Sequence, residues 1–136
     1  MGLCVQIYFE REGGFGSADN NIISAIIVAY NINSIDVVGR ALRKAFVQNR
    51  ECWKEEDSGF LIAQILISMA DEQRKVNQKL KFQILVKYDY VMLPDYEITI
   101  SFDSQKIYIS KILNSTGDGE IIRTCTLEEF VGLRAV

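Results

Sequence analysis

Leu3, Val5, Ile7 and Phe9 alternate with Cys4, Gln6 and Tyr8. A period of two places the first set on one face, so the chain opens on a half-buried β-strand. Residues 10–17 follow with Gly13, Gly14 and Gly16 and read as a loop. The period then changes. Ile22, Ile23, Ile26, Ile27 and Tyr30 recur at helical spacing behind Ser17 or Asp19 as a cap, which predicts a helix over 22–30. Its β-branched content lowers helix propensity, so packing has to hold it. Asn31 and Asn33 break the pattern. Ser34 then caps a second helix with Ile35, Val38, Leu42, Ala45 and Phe46 on one face. A charged break over 51–59 ends with Ser58, a cap for a third helix from Phe60 to about Gln78. Residues 60–69 alone suit a buried strand equally well; the helix-favouring run after Met69 decides for helix.

The second half returns to a period of two. Leu80, Phe82, Ile84, Val86, Tyr88 and Tyr90 alternate with Lys81, Gln83, Lys87 and Asp89. After the Pro94-Asp95 turn, Tyr96, Ile98, Ile100 and Phe102 alternate with Glu97, Thr99, Ser101 and Asp103. Strands over 106–113 and 120–125 follow, separated by a polar turn over 114–119. Short turns between alternating strands mean hairpins. Thr126 and Glu129 make a capping box, so a short last helix starts there and docks Phe130, Val131 and Leu133. Helices and strands are segregated, which indicates an α+β fold. The expected architecture is an antiparallel β-meander of four to five strands. About three helices are inserted after strand 1 and pack on one face, and a short C-terminal helix closes the chain. No linker, repeat or low-complexity tract divides it, so residues 1–136 form a single domain.

The 136 residues are 49% hydrophobic and 24% charged, which places the chain with globular proteins and against disordered or fibrous ones. The apolar runs over 22–30 and 60–70 fall short of the roughly 20 residues a bilayer span needs, so no membrane partner is expected. The formal net charge of −3 argues against a nucleic-acid partner, which is held by Lys and Arg. Cys4, Cys52 and Cys125 form no C-x-x-C pair and follow no secretory signal, which points to free thiols in a reducing, cytoplasmic setting. The sequence holds no histidine, so Ser-His and Cys-His nucleophile pairs and His-ligated metals are excluded.

The chemistry-bearing candidates are few. Gly13, Gly14, Gly16 and Ser17 stand between a strand and a predicted helix, where backbone N–H groups can cradle phosphate. No Gly-Lys-Ser/Thr motif is present, and Asp19 occupies the third glycine position of a dinucleotide fingerprint, so a plain flexible loop is favoured. Glu55, Glu56 and Asp57 are adjacent, and adjacent side chains diverge instead of converging on an ion. Cys52 lies among four acids with no base beside it, so an inert thiol is expected. Arg40, Arg43, Lys44 and Arg50 are the one basic cluster, read as solvated helix charges. No catalytic residue, cofactor or metal site is assigned, and the chain reads as a non-enzyme.

Trp53 among Glu51, Glu55, Glu56 and Asp57 is the most distinctive surface feature, since an aromatic ringed by charge is how binding hot spots are built. The competing role for Trp53 is a core anchor between helices, and that role is the favoured one. In size, acidity, compartment and order of elements, the whole chain resembles the immunity proteins of bacterial toxin systems, including contact-dependent growth inhibition. The resemblance implies a bacterial protein that binds and occludes one cognate toxin domain, commonly a nuclease. On that reading Glu51, Trp53, Glu55, Glu56 and Asp57 carry the contact, with Asp118 and Glu120 second. Two other classes stay open. One is an adaptor or secretion chaperone for an effector, commonly a dimer. The other is a small ligand- or phosphate-binding domain using residues 13–17.

Overall fold

A computed structural model describes residues 2–12, 21–53, 58–75, 81–85, 93–114 and 116–134. Its elements run β1 (Leu3–Glu12), β2 (Asn21–Ile32), α1 (Ile35–Gln48), a 3-10 turn (Arg50–Trp53), α2 (Ser58–Lys75), β3 (Lys81–Leu85), β4 (Tyr96–Ser101), β5 (Lys106–Ile112), β6 (Gly119–Thr126) and α3 (Leu127–Val131). The fold is α+β, as expected. The strands form one six-stranded sheet in the order β3-β2-β1-β4-β5-β6.

The segment predicted as a helix over 22–30 is instead part of strand β2, paired antiparallel with β1 and β3. Its apolar positions are nearly continuous, and such a run satisfies a helical and a strand template alike. Burial shows why strand wins. Ile27 and Ala29 enter the main core while Ile26 and Val28 enter a second cluster on the other side. A strand buried on both faces loses polar alternation and reads as a solid hydrophobic run. The β-branched side chains that weaken a helix suit this pleated surface.

The sheet is mixed and not the antiparallel meander expected. β1 lies in its interior and pairs parallel with β4, with Val5 opposite Tyr96 and Phe9 opposite Ile100. Each half, β1-β2-β3 and β4-β5-β6, keeps consecutive antiparallel order, and the parallel β1–β4 pair joins the two. The helices α1 and α2 are inserted after the second strand, not the first. Residues 60–69 are helical, within α2, and residues 76–78 of the expected helix lie outside the described residues. The helix predicted from Ser34 and the capped helix at Thr126 both form; the Thr126 hydroxyl accepts from the Glu129 N–H while the Glu129 carboxylate accepts from the Thr126 N–H.

The main core lies between the sheet and the helices. Val5, Ile7 and Phe9 of β1, Ile98 and Ile100 of β4, and Ile107 and Ile109 of β5 meet Val38, Leu42 and Phe46 of α1 and Leu61, Ile65 and Met69 of α2. At the centre, Phe46 meets Trp53 and Phe130 edge-on, at 5.7 and 6.1 Å between ring centroids. Such edge-to-face pairs add about 0.5–1.5 kcal/mol each beyond their buried area. Trp53 is 3% exposed, so it serves as the core anchor. The Gln105 amide ties this region together, donating to the Trp53 and Phe102 carbonyls. On the other sheet face, Cys4, Tyr8, Ile26 and Val28 make a smaller cluster. Among the described residues no helix is long and apolar enough to cross a membrane.

Candidate functional site

The two acidic residues at the β5–β6 hairpin, Asp118 and Glu120, are both exposed. Asp118 is held by its own loop. The Asn114 amide and the Thr116 hydroxyl both donate to its Oδ2 at 3.0 Å. Those two hydrogen bonds to the charged form keep its carboxyl below the usual carboxylate range. Asn114 Oδ1 in turn accepts from the backbone N–H groups of Thr116 and Asp118. Gly117, at φ 87°, supplies the left-handed position this turn requires. The result is a fixed, ionised carboxylate at the tip of the sheet.

Large apolar side chains of the same hairpin are exposed as well. Leu113 is 57% exposed, Ile121 64% and Ile122 43%. Register explains the isoleucines. Ser110 pairs with Ile121 and Ile109 with Arg123, so Ile122 is an extra residue on β6, a β-bulge. β6 is also the last strand of the sheet. A sheet edge is a ready template for an incoming strand, and proteins commonly blunt it with charge or a bulge. Here the bulge coincides with large apolar side chains turned to solvent. The sequence expectation named Asp118 and Glu120 but missed Leu113, Ile121 and Ile122. The available signal was the Ile121-Ile122 pair, which breaks the alternation of a half-buried strand.

The other expected contact set does not assemble in the same way. Glu51 is exposed on the 3-10 turn, whereas the Trp53 side chain is in the core. The expected hot-spot ring is therefore corrected on this point: the indole packs against Phe46, where burial and an aromatic neighbour stabilise it more than solvent does. Glu55, Glu56 and Asp57 lie outside the described residues. Glu51 instead borders an open depression of about 430 Å³ with Val47, Gln48, Asn49, Arg50 and Phe60. Arg50 there pairs with Glu128 at 3.5 Å and lies 5.8 Å from the Trp53 ring centroid.

The basic cluster is dispersed. Arg40 meets Glu72 at 3.3 Å, and Lys44 meets Asp71 at 3.5 Å, both bridging α1 to α2. Arg43 is buried, with its guanidinium 5.5 Å from the Phe130 ring centroid. Burial pulls its pKa down, helped by Arg40 and opposed by Asp36. These cations serve helix packing and do not present one anion-binding face.

The remaining candidates offer little chemistry. The glycine loop over 13–17 lies outside the described residues. Burial pushes the Cys4 and Cys125 thiols up, with Asp95 adding to the first and Glu129 to the second. Neither is an activated nucleophile. Among the described residues no group of His, Cys, Asp and Glu is arranged to hold a metal ion. Tyr96 and Tyr108 are half-buried, and Tyr88 and Tyr90 lie outside the described residues. One polar cluster escaped the sequence reading. The Tyr8 hydroxyl shares its one proton between Gln6 Oε1 at 2.5 Å and Glu97 Oε1 at 3.4 Å, and burial pushes the Glu97 carboxyl up despite that contact. Only the parallel pairing of β1 with β4, which sets Gln6 opposite Glu97, brings these residues together. Comparisons with protein-family models, curated proteins and solved structures find no match.

Proposed function

We propose that this chain is a non-enzymatic protein-binding domain of the toxin-immunity kind, acting in a reducing cytoplasm. The β5–β6 end of the sheet is its docking surface. The observation that carries the reading is the exposure of Ile121 and Ile122 on the terminal strand of the sheet, with Glu120 on the same strand and Leu113 and Asp118 in the turn before it. Apolar side chains at the centre of a contact supply affinity, and carboxylates at its rim supply register and on-rate. The partner that fits is a basic protein domain, such as a nuclease whose substrate cleft the hairpin would cover. The acidic net charge favours that encounter. The depression beside Glu51 is a second contact region on this reading.

The test is affinity capture from a lysate of the source cell, run with wild type and with an Ile121→Asp, Glu120→Lys variant. The expected result is one basic protein held one-to-one by wild type and lost by the variant. Equal recovery by both, or recovery of metabolites alone, would remove the hairpin reading. In that case the adaptor and ligand-binding classes would take its place.

A further inference from the structure

The C-terminal end of α1 lines the depression beside Glu51, whose volume of about 430 Å³ falls within the roughly 300–1,000 Å³ of ligand pockets. A helix ends on carbonyl groups that amount to a partial negative charge, ordinarily offset by Lys, Arg or His in the last turn. The last turn of α1 holds no basic residue. Glu51, on the 3-10 turn that follows, is exposed and makes no ion pair among the described residues. The Asn49 amide nitrogen donates to the Ala45 carbonyl at 2.8 Å, which leaves its side-chain oxygen, an acceptor, for a ligand. Arg50 is the one cation among the lining residues, and its guanidinium is engaged with Glu128 and near the Trp53 ring. Two apolar side chains complete the lining, Val47 at 49% exposed and Phe60 at 50%.

This combination of acceptors, negative charge and a half-exposed aromatic selects a cation on an apolar stem. We propose that the depression seats an arginine side chain of a protein partner. A guanidinium offers five N–H donors and no acceptor, and its flat face stacks on aromatic rings. The Glu51 carboxylate, the Asn49 oxygen and the end of α1 suit the donors, Phe60 suits the flat face, and Val47 suits the methylene stem. A lysine ammonium is compact and strongly hydrated and loses the stacking. An anion would meet both Glu51 and the negative end of α1. The inference rests on the reading of this chain as a binder of a basic protein, and it gives the chemistry of the second contact region.

Nuclear magnetic resonance titration of the isotope-labelled full chain with N-acetyl-arginine amide tests it without the partner. The backbone signals of Val47, Gln48, Glu51 and Phe60 should shift together and saturate. The citrulline counterpart, of the same shape but uncharged, and N-acetyl-glutamate amide should leave them in place. Glu51→Gln and Phe60→Ala should each weaken binding by about two- to fivefold, the scale of an exposed ion pair or cation–ring contact, with unchanged circular dichroism spectra. Ile121→Asp should bind the probe as wild type does. The absence of saturable shifts at these positions would overturn the inference, as would equal binding of the citrulline or glutamate derivative or binding that survives both Glu51→Gln and Phe60→Ala. Tighter binding of free L-arginine than of the capped form would overturn it in favour of a metabolite site. Failure of the hairpin variant to lose a captured protein, with arginine binding intact, would count against the hairpin reading alone.

Discussion

Replacing Phe130 with alanine tests the core at its most connected point. Phe130 is fully buried on the short helix α3. Its ring meets Phe46 edge-on and lies under the Arg43 guanidinium. Truncating a buried Phe to Ala costs about 3–5 kcal/mol. Part of that is the aromatic pair, about 0.5–1.5 kcal/mol, and part the cation–ring contact, about 0.5–2 kcal/mol. Arg43 Nη1 has no hydrogen-bond partner, so the ring adds to the Asp36 carboxylate in offsetting the cost of the buried guanidinium. Total stability for such domains is about 5–15 kcal/mol, so the variant should fold but sit near its limit. Urea unfolding can be followed by the fluorescence of Trp53, the single tryptophan, which adjoins Phe46. With a slope of about 2 kcal/mol per molar urea, the midpoint should fall by roughly 1.5–2.5 M. Arg43→Met, combined with Phe130→Ala in a double-mutant cycle, should show a coupling of about 0.5–2 kcal/mol. A midpoint shift below about 0.5 M, about 1 kcal/mol at that slope and well short of the expected loss, would refute this account of the core.

Four further outcomes are expected. Thr126→Ala should cost about 0.5–2 kcal/mol in the same assay, because the capping box at α3 loses its acceptor. Glu97→Gln should raise the melting temperature at pH 7. Burial lifts the Glu97 carboxyl above its unfolded value, so stability falls as pH rises through that window, and the gain from the variant should vanish at acid pH. Glu72 behaves oppositely. Burial alone would raise its pKa, but hydrogen bonds and charges from Lys75 and Arg40 outweigh it and hold the carboxyl low. Its contribution is therefore present above the unfolded carboxylate pKa of about 4.3 and lost as pH falls below it, so Glu72→Gln should flatten the acid limb of the melting curve. Cys4, buried with a raised thiol pKa, should resist iodoacetamide in the native protein and react on unfolding.

What the sequence determined by itself is local. The alternation in β4 and β5, the amphipathic face of α1 and the Thr126–Glu129 capping box each depend on residues within one element, and each formed as read, whereas β1, expected half-buried, is a strand whose second face, Cys4, Gln6 and Tyr8, is buried as well. The α+β class followed from the order of such elements. Where two local templates fit, the sequence was mute. The run over 22–30 satisfied both periods, and only sheet neighbours on either side, β1 and β3, turned it into a strand. Long-range pairing was likewise invisible. The parallel contact of β1 with β4 joins residues about ninety positions apart, and it alone creates the Gln6–Tyr8–Glu97 cluster. Tertiary structure also decided which side chains face solvent. It drew Trp53 into the core, absorbed the basic residues of α1 into ion pairs and a ring contact, and left Ile121 and Ile122 of β6 and Phe60 and Ile67 of α2 exposed. Burial is settled by what the rest of the chain brings alongside, and a residue's own neighbours in sequence do not contain that information.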